Sequence, residues 1–113
     1  MHEMALAESV LEIVEGTARQ NGDARVRAVW LEIGALSQVE PEAMRFCFDA
    51  VTRGSLADRA RLEIVTTPGA AWCMPCGDTV PLAARGEPCP RCGSFQLAVS
   101  QGDAMRVTQI ELA

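Results

Sequence analysis

Four cysteines stand in two pairs, Cys73-Met74-Pro75-Cys76 and Cys89-Pro90-Arg91-Cys92, and a glycine follows each pair, Gly77 and Gly93. Two residues between the cysteines let one tight turn present two sulfurs. Two such turns can then close a tetrahedron around a single zinc ion. The glycines suit backbone geometry that a side chain would obstruct, so that amide N–H groups can point at the sulfurs. The competing reading is a pair of disulfides. It is the weaker one, because a bridge within CxxC closes only a very small loop and nothing in the chain marks secretion. A zinc ion held by Cys73, Cys76, Cys89 and Cys92 has no open coordination position. Its work would be structural, holding its segment together and presenting a surface to partners.

A second candidate site opens the chain, at Met1-His2-Glu3. His2 is the single histidine of the 113 residues. Removal of an initiator methionine needs a small second residue, so His2 keeps Met1 and its amine in place. That amine, the His2 backbone nitrogen and the His2 imidazole can chelate one metal ion, and Glu3 can add its amide nitrogen or its carboxylate. Nitrogen-rich, square-planar sets suit Ni(II) and Cu(II). Taken alone the motif is weak, since many chains begin with an unremarkable Met-His.

The elements that must position these groups are few. The length suits one small domain or two very small ones. The cysteine segment could barely fold without a staple, which zinc supplies. Residues 4–20 carry Leu6, Val10, Ile13, Val14 and Thr17 on one face, with Glu3, Glu8, Glu12 and Glu15 on the other, and predict an amphipathic helix. Asn21-Gly22-Asp23 stops it. Val29, Leu31 and Ile33 alternate in a strand over 25–33. Pro41 opens a second helix with Met44, Phe48 and Val51 at helical spacing, and Gly54 ends it. Leu62, Ile64 and Thr66 alternate in a second strand, broken at Pro68-Gly69. Met105–Leu112 is a third strand whose apolar set changes parity near Thr108, as a bulge would produce. The expected fold class is therefore α+β: a small nickel-binding domain of two helices packed on a three-stranded sheet (1–68 plus 103–113), if the N-terminal motif takes that metal, with an inserted four-cysteine zinc-ribbon module (69–102) that has little core of its own.

Charge narrows the function. The formal net charge is −5, and all ten basic residues are arginine. Four thiolates on one zinc would add about −2 more. The cysteine region carries Arg85 and Arg91 against Asp78 and Glu87, so it is not basic and the footprint of nucleic-acid binding is missing. No apolar run is long enough to span a membrane. The acidic, amphipathic start is unlike a signal peptide, so a cytoplasmic location with reduced thiols is expected. No nucleophile–base pair can use a histidine other than His2, and neither a phosphate loop nor a paired-carboxylate motif is visible, so no enzyme is expected.

With Met1-His2-Glu3 leading into Met4-Ala5-Leu6-Ala7, then Leu31-Glu32-Ile33-Gly34, then Val39-Glu40-Pro41-Glu42, then Trp72 and the four cysteines, the chain resembles the HypA/HybF family of hydrogenase maturation factors over essentially its whole length. The resemblance implies a nickel metallochaperone. It implies nickel ligation by His2, with Met1 and Glu3 contributing through the amine and the backbone, and a structural zinc on Cys73, Cys76, Cys89 and Cys92. It also implies a HypB-type GTPase partner and a client, the large subunit of a nickel–iron hydrogenase; some relatives serve urease as well. Cys47 matches no metal motif of the family and reads as a buried small hydrophobe. Trp72 reads as packing over the zinc turn, Trp30 as sheet packing, and Glu8, Glu12 and Glu15 as a solvated helix face. The linkers at Pro68-Gly69 and Gly102 leave room for a homodimer formed by exchange of the zinc module. Two rivals remain on sequence grounds. A zinc-ribbon adaptor for protein or nucleic acid would explain the cysteines but not the N-terminus. A rubredoxin-like iron protein would be red.

Overall fold

The computed structural model describes residues 2–113. The chain runs α1 (His2–Gln20), β1 (Val26–Gly34), α2 (Pro41–Thr52), β2 (Arg61–Thr67), β3 (Gly69–Cys73), β4 (Asp78–Leu82), β5 (Leu97–Gln101) and β6 (Met105–Leu112). Two small sheets form, ordered β2-β1-β6 and β4-β3-β5. The α+β class and the three-stranded sheet containing the last strand agree with the sequence reading. The second sheet, inside the cysteine segment, was not expected.

The chain divides into two compact units. The first comprises the chain up to Leu31, Val39–Val65 and Arg106–Ala113. Its helices α1 and α2 pack against one another. Its buried side chains include Ala7, Val10, Val14 and Ala18 of α1, Met44, Cys47 and Phe48 of α2, and Val29 and Leu31 of β1. Pro41 begins α2, with Glu40 as its N-cap. There the proline's missing N–H costs nothing, and the Glu40 side chain accepts the N–H of Glu42 at 3.4 Å. The buried stripe of α1 runs 3-7-10-14-18 rather than through Ile13, which is 56% exposed. Glu15 is not a solvated residue: Oε2 accepts the N–H of Leu56 at 3.2 Å, and Arg19 lies 3.3 Å from Oε1. Cys47 is fully buried, as read from the sequence. Trp30 lies under the Arg61 guanidinium, 5.6 Å from ring centroid to Cζ. Along β6, Thr108 and Gln109 are both exposed between half-buried Val107 and Ile110, so the facing parity does change there.

The second unit comprises Glu32–Gln38 and Thr66–Met105. Backbone bonds explain why residues 34–36 belong to it: Gly34 N–H donates to Ala104, Ala35 to Thr67 and Leu36 to Gly102, at 2.9, 2.9 and 2.7 Å. Gly34 passes so close to Gly102 that a Cβ there would collide with its backbone. Strand β3 is central, antiparallel to β4 from Gly69↔Leu82 to Cys73↔Asp78, and antiparallel to β5 with a register shift between Ala70 and Ala71. Leu36, Ala71 and Leu82 form a buried cluster with Leu97 and Val99 against it. This segment therefore has a core of its own, contrary to the composition-based expectation. Trp72 lies in β3 in register with Thr79 and Ala98 and is 43% exposed.

Candidate metal centres

The first CxxC pair forms the tip of the β3–β4 hairpin, and the second lies in the connection between β4 and β5. Each turn is closed by its glycine: Gly77 N–H donates to Cys73 O and Gly93 N–H to Cys89 O, both at 2.9 Å. These glycines have φ of +61° and +77°, the left-handed region in which a Cβ is strained. Open space surrounds both, so backbone conformation rather than crowding selects glycine. Their amides serve carbonyls rather than sulfurs. Other amides reach the sulfurs: that of Arg91 lies 3.4 Å from Cys89 Sγ, and those of Cys92 and Cys76 serve Cys89 and Cys73.

The four sulfurs of Cys73, Cys76, Cys89 and Cys92 lie within 4.8 Å of one another. Cys73 Sγ is 3.5 Å from Cys92 Sγ, and Cys76 Sγ is 3.9 Å from Cys89 Sγ. A zinc tetrahedron with bonds of about 2.3 Å has edges of about 3.8 Å, so the cluster has the size the ion requires. Cys73 and Cys89 are buried with Val80, and Leu97 packs beside them, which gives the sulfurs an apolar floor. Cys92 is exposed.

The protonation pattern also asks for a cation. At Cys89 burial opposes the thiolate, but the N–H groups of Cys92 and Arg91 and hydrogen bonds from Cys73 and Cys92 outweigh it and bring the pKa down to about 6. Cys76 is pushed up to about 12, chiefly by its hydrogen bonds to Cys92 and Cys73. Cys73 is raised too: the Cys76 N–H favours its thiolate, but burial and the thiols of Cys92 and Cys89 prevail. One thiolate forms readily and its neighbours then resist charge. A dication is what lets all four ionise together. Across the two turns, Arg91 Nη1 pairs with Asp78 Oδ2 at 3.1 Å, and this guanidinium holds the Asp78 carboxyl below its ordinary value.

At the other candidate site, Met1 lies outside the described residues. His2 is exposed and is the first residue of α1, so the helix begins two residues earlier than the sequence periodicity indicated. Glu3, read as part of the polar face, instead points inward and is only 7% exposed. Its Oε2 accepts the N–H of Glu40 at 3.2 Å and lies 3.6 Å from His2 Nε2. The Glu40 N–H and the N–H of Glu3 itself keep this carboxyl below its usual pKa, helped by the His2 charge. Sequence reasoning did not single out Glu40, although a residue just before Pro41 at a helix start was the available signal. It counted Arg91 and Asp78 in the local charge balance without pairing them.

Comparison with known proteins agrees with this picture. A family model described as hydrogenase/urease nickel incorporation, metallochaperone, hypA matches residues 1–112. A hydrogenase maturation factor HypA from Rhodopseudomonas palustris (strain BisB5) is 63% identical over 112 residues, 99% of each chain. One from Albidiferax ferrireducens is 60% identical over the same length and coverage. The solution structure of the Ni metallochaperone HypA from Helicobacter pylori matches with a TM-score of 0.70 at 25% identity, covering 99% of this chain and 97% of that one. The family match, with the fold and the sulfur cluster beside it, defines the class as a metallochaperone and maturation factor, not an enzyme. The chain belongs to the HypA family of nickel-incorporation metallochaperones. No helix among the described residues is long and apolar enough to cross a membrane.

Proposed function

We propose that this chain binds Ni(II) at its N-terminus through the Met1 amine, His2 and Glu3, and delivers it during maturation of a nickel–iron hydrogenase. Structural zinc on Cys73, Cys76, Cys89 and Cys92 keeps the 69–102 module folded, while 1–68 with 103–113 carries the nickel. The partners are a HypB-type GTPase and the hydrogenase large subunit, in the cytoplasm, with a homodimer as one assembly of the chain.

The observation that carries the nickel reading is the placement of His2, exposed in the first turn of α1. Backbone N–H groups of a first helical turn have no intrahelical acceptor, so their nitrogens are free to become ligands. The imidazole Nε2 faces the Glu3 carboxylate, which leaves Nδ1 for the metal. Nδ1 is also the nitrogen that closes a six-membered chelate with the His2 backbone nitrogen. The Glu3 carboxylate already serves Glu40 and its own N–H, so a Glu3 ligand would be its backbone nitrogen, freed once the metal displaces that N–H proton. The positive end of the α1 dipole opposes a bound cation, and the nearby Glu3 charge offsets it. A hold of that kind can be given up to a partner.

The ligand set is tested by adding one glycine ahead of Met1 and titrating nickel against a competing chelator. Moving the amine out of reach should weaken binding at least tenfold while zinc content stays the same. Unchanged affinity would remove the Met1 amine from the site.

A further inference from the structure

Surface ion pairs add little to equilibrium stability, so the Arg91–Asp78 pair matters for where it sits. The first cysteine turn is part of a paired hairpin, with Cys73 opposite Asp78. The second turn, Cys89–Cys92, has no strand of its own. Asp78 is fixed at the start of β4, where its Oδ1 accepts the N–H of Thr79 at 2.8 Å. Arg91 is held at both ends: its backbone N–H reaches Cys89 Sγ at 3.4 Å, and its guanidinium crosses to Asp78 Oδ2 at 3.1 Å. Among the described residues this is the one ion pair joining the two turns.

Cys92, the next residue, is the exposed cysteine of the four. A competing ligand has its access on the Cys92 side, and the side chain of the preceding residue, Arg91, bridges from there to Asp78 of the hairpin.

We propose that the Arg91–Asp78 ion pair is a latch on metal exchange at the four-cysteine centre, resting on the zinc reading above. Closed, it holds the second turn against the hairpin. Broken, it lets Cys92 part first. Arg91 is thus a positioning residue that sets how fast the metal leaves rather than whether it binds. A latch is distinguishable from a mere electrostatic field. Removing the Arg91 charge makes the sulfur cluster more negative, and removing the Asp78 charge makes it less so. A field effect would move the two variants' exchange rates in opposite directions, whereas loss of a latch moves both the same way.

The experiment uses the full chain, with zinc content measured first and then the rate of zinc transfer to the chromogenic chelator 4-(2-pyridylazo)resorcinol. Wild type, Arg91→Gln, Asp78→Asn and the double variant are compared at low and high salt. Both single variants should bind one zinc and lose it about two- to fivefold faster, the range an exposed pair can supply. The double variant should be no faster than the singles. Salt should accelerate the wild type toward the variants and leave the variants unchanged. Wild-type rates in both singles, shifts of opposite sign, or additive effects would overturn the latch. A wild-type chain that binds no zinc would overturn the metal centre itself.

Discussion

The Glu3 carboxylate accepts the backbone N–H of Glu40 at 3.2 Å, tying the first turn of α1 to the residue that caps α2. A glutamate in the buried stripe of an amphipathic helix would be costly if it faced only apolar neighbours. Here it meets a helix-terminal N–H group and lies beside the proposed nickel ligand His2.

That bond makes stability depend on acid in a defined direction. The Glu3 carboxyl titrates below its ordinary 4.5 because the folded protein favours its charged form. It binds its proton less readily folded than unfolded, so it adds stability above about pH 4.5, and that stability is lost as pH falls through the folded value. Thermal melts of wild type and Glu3→Ala should therefore differ at pH 7 and converge as the pH falls through the lowered folded value of the Glu3 carboxyl. A constant difference across that range would show that the carboxylate charge is not what stabilises the junction.

Cys47 separates metal chemistry from packing. It is fully buried in α2, apart from the sulfur cluster. Cys47→Ser places a hydroxyl in an apolar site and should cost about 1–3 kcal/mol. Cys47→Ala should cost less, and both should keep the wild-type zinc content. Denaturant titration and metal analysis check the pair, and zinc loss in the alanine variant would put Cys47 in the centre.

Replacing one ligand cysteine, as in Cys73→Ser, should remove zinc and unfold residues 69–102, because the second turn then loses its main attachment. Amide exchange should show protection lost across β3, β4 and β5 while α1 and α2 stay protected. Retained zinc with native protection would contradict the structural role.

Gly34→Ala tests a different constraint. The new methyl group would meet the backbone of Gly102, which cannot give way as a flexible side chain could. The overpacking should cost about 1–3 kcal/mol, seen as a lowered denaturant midpoint. An unchanged midpoint would mean that this approach relaxes freely.

Much of this was legible in the chain, for identifiable reasons. The CxxC spacing encodes its chemistry locally, and Pro41, Gly54 and the alternation of Val29, Leu31 and Ile33 mark elements through short-range rules. Strands β3, β4 and β5 were missed because Gly69–Cys73, Asp78–Leu82 and Leu97–Gln101 are short, and only their pairing with one another makes them strands. Glu3 was misplaced because a charged residue reads as polar wherever it falls. Its inward position is tolerable only because of a backbone group 37 residues away. Arg91 and Asp78 stand 13 residues apart, and their pairing appears only once the two turns are folded together.

The central claim is nickel carriage at the N-terminus, separate from zinc. Metal content after nickel equilibration, on wild type and His2→Ala side by side, tests it most directly. The expected result is one zinc in both chains and one nickel in the wild type alone, with nickel occupancy falling as the pH drops below neutral, since the nitrogen ligands must be deprotonated. Stoichiometric nickel retained by His2→Ala, or zinc without nickel in both, would contradict it.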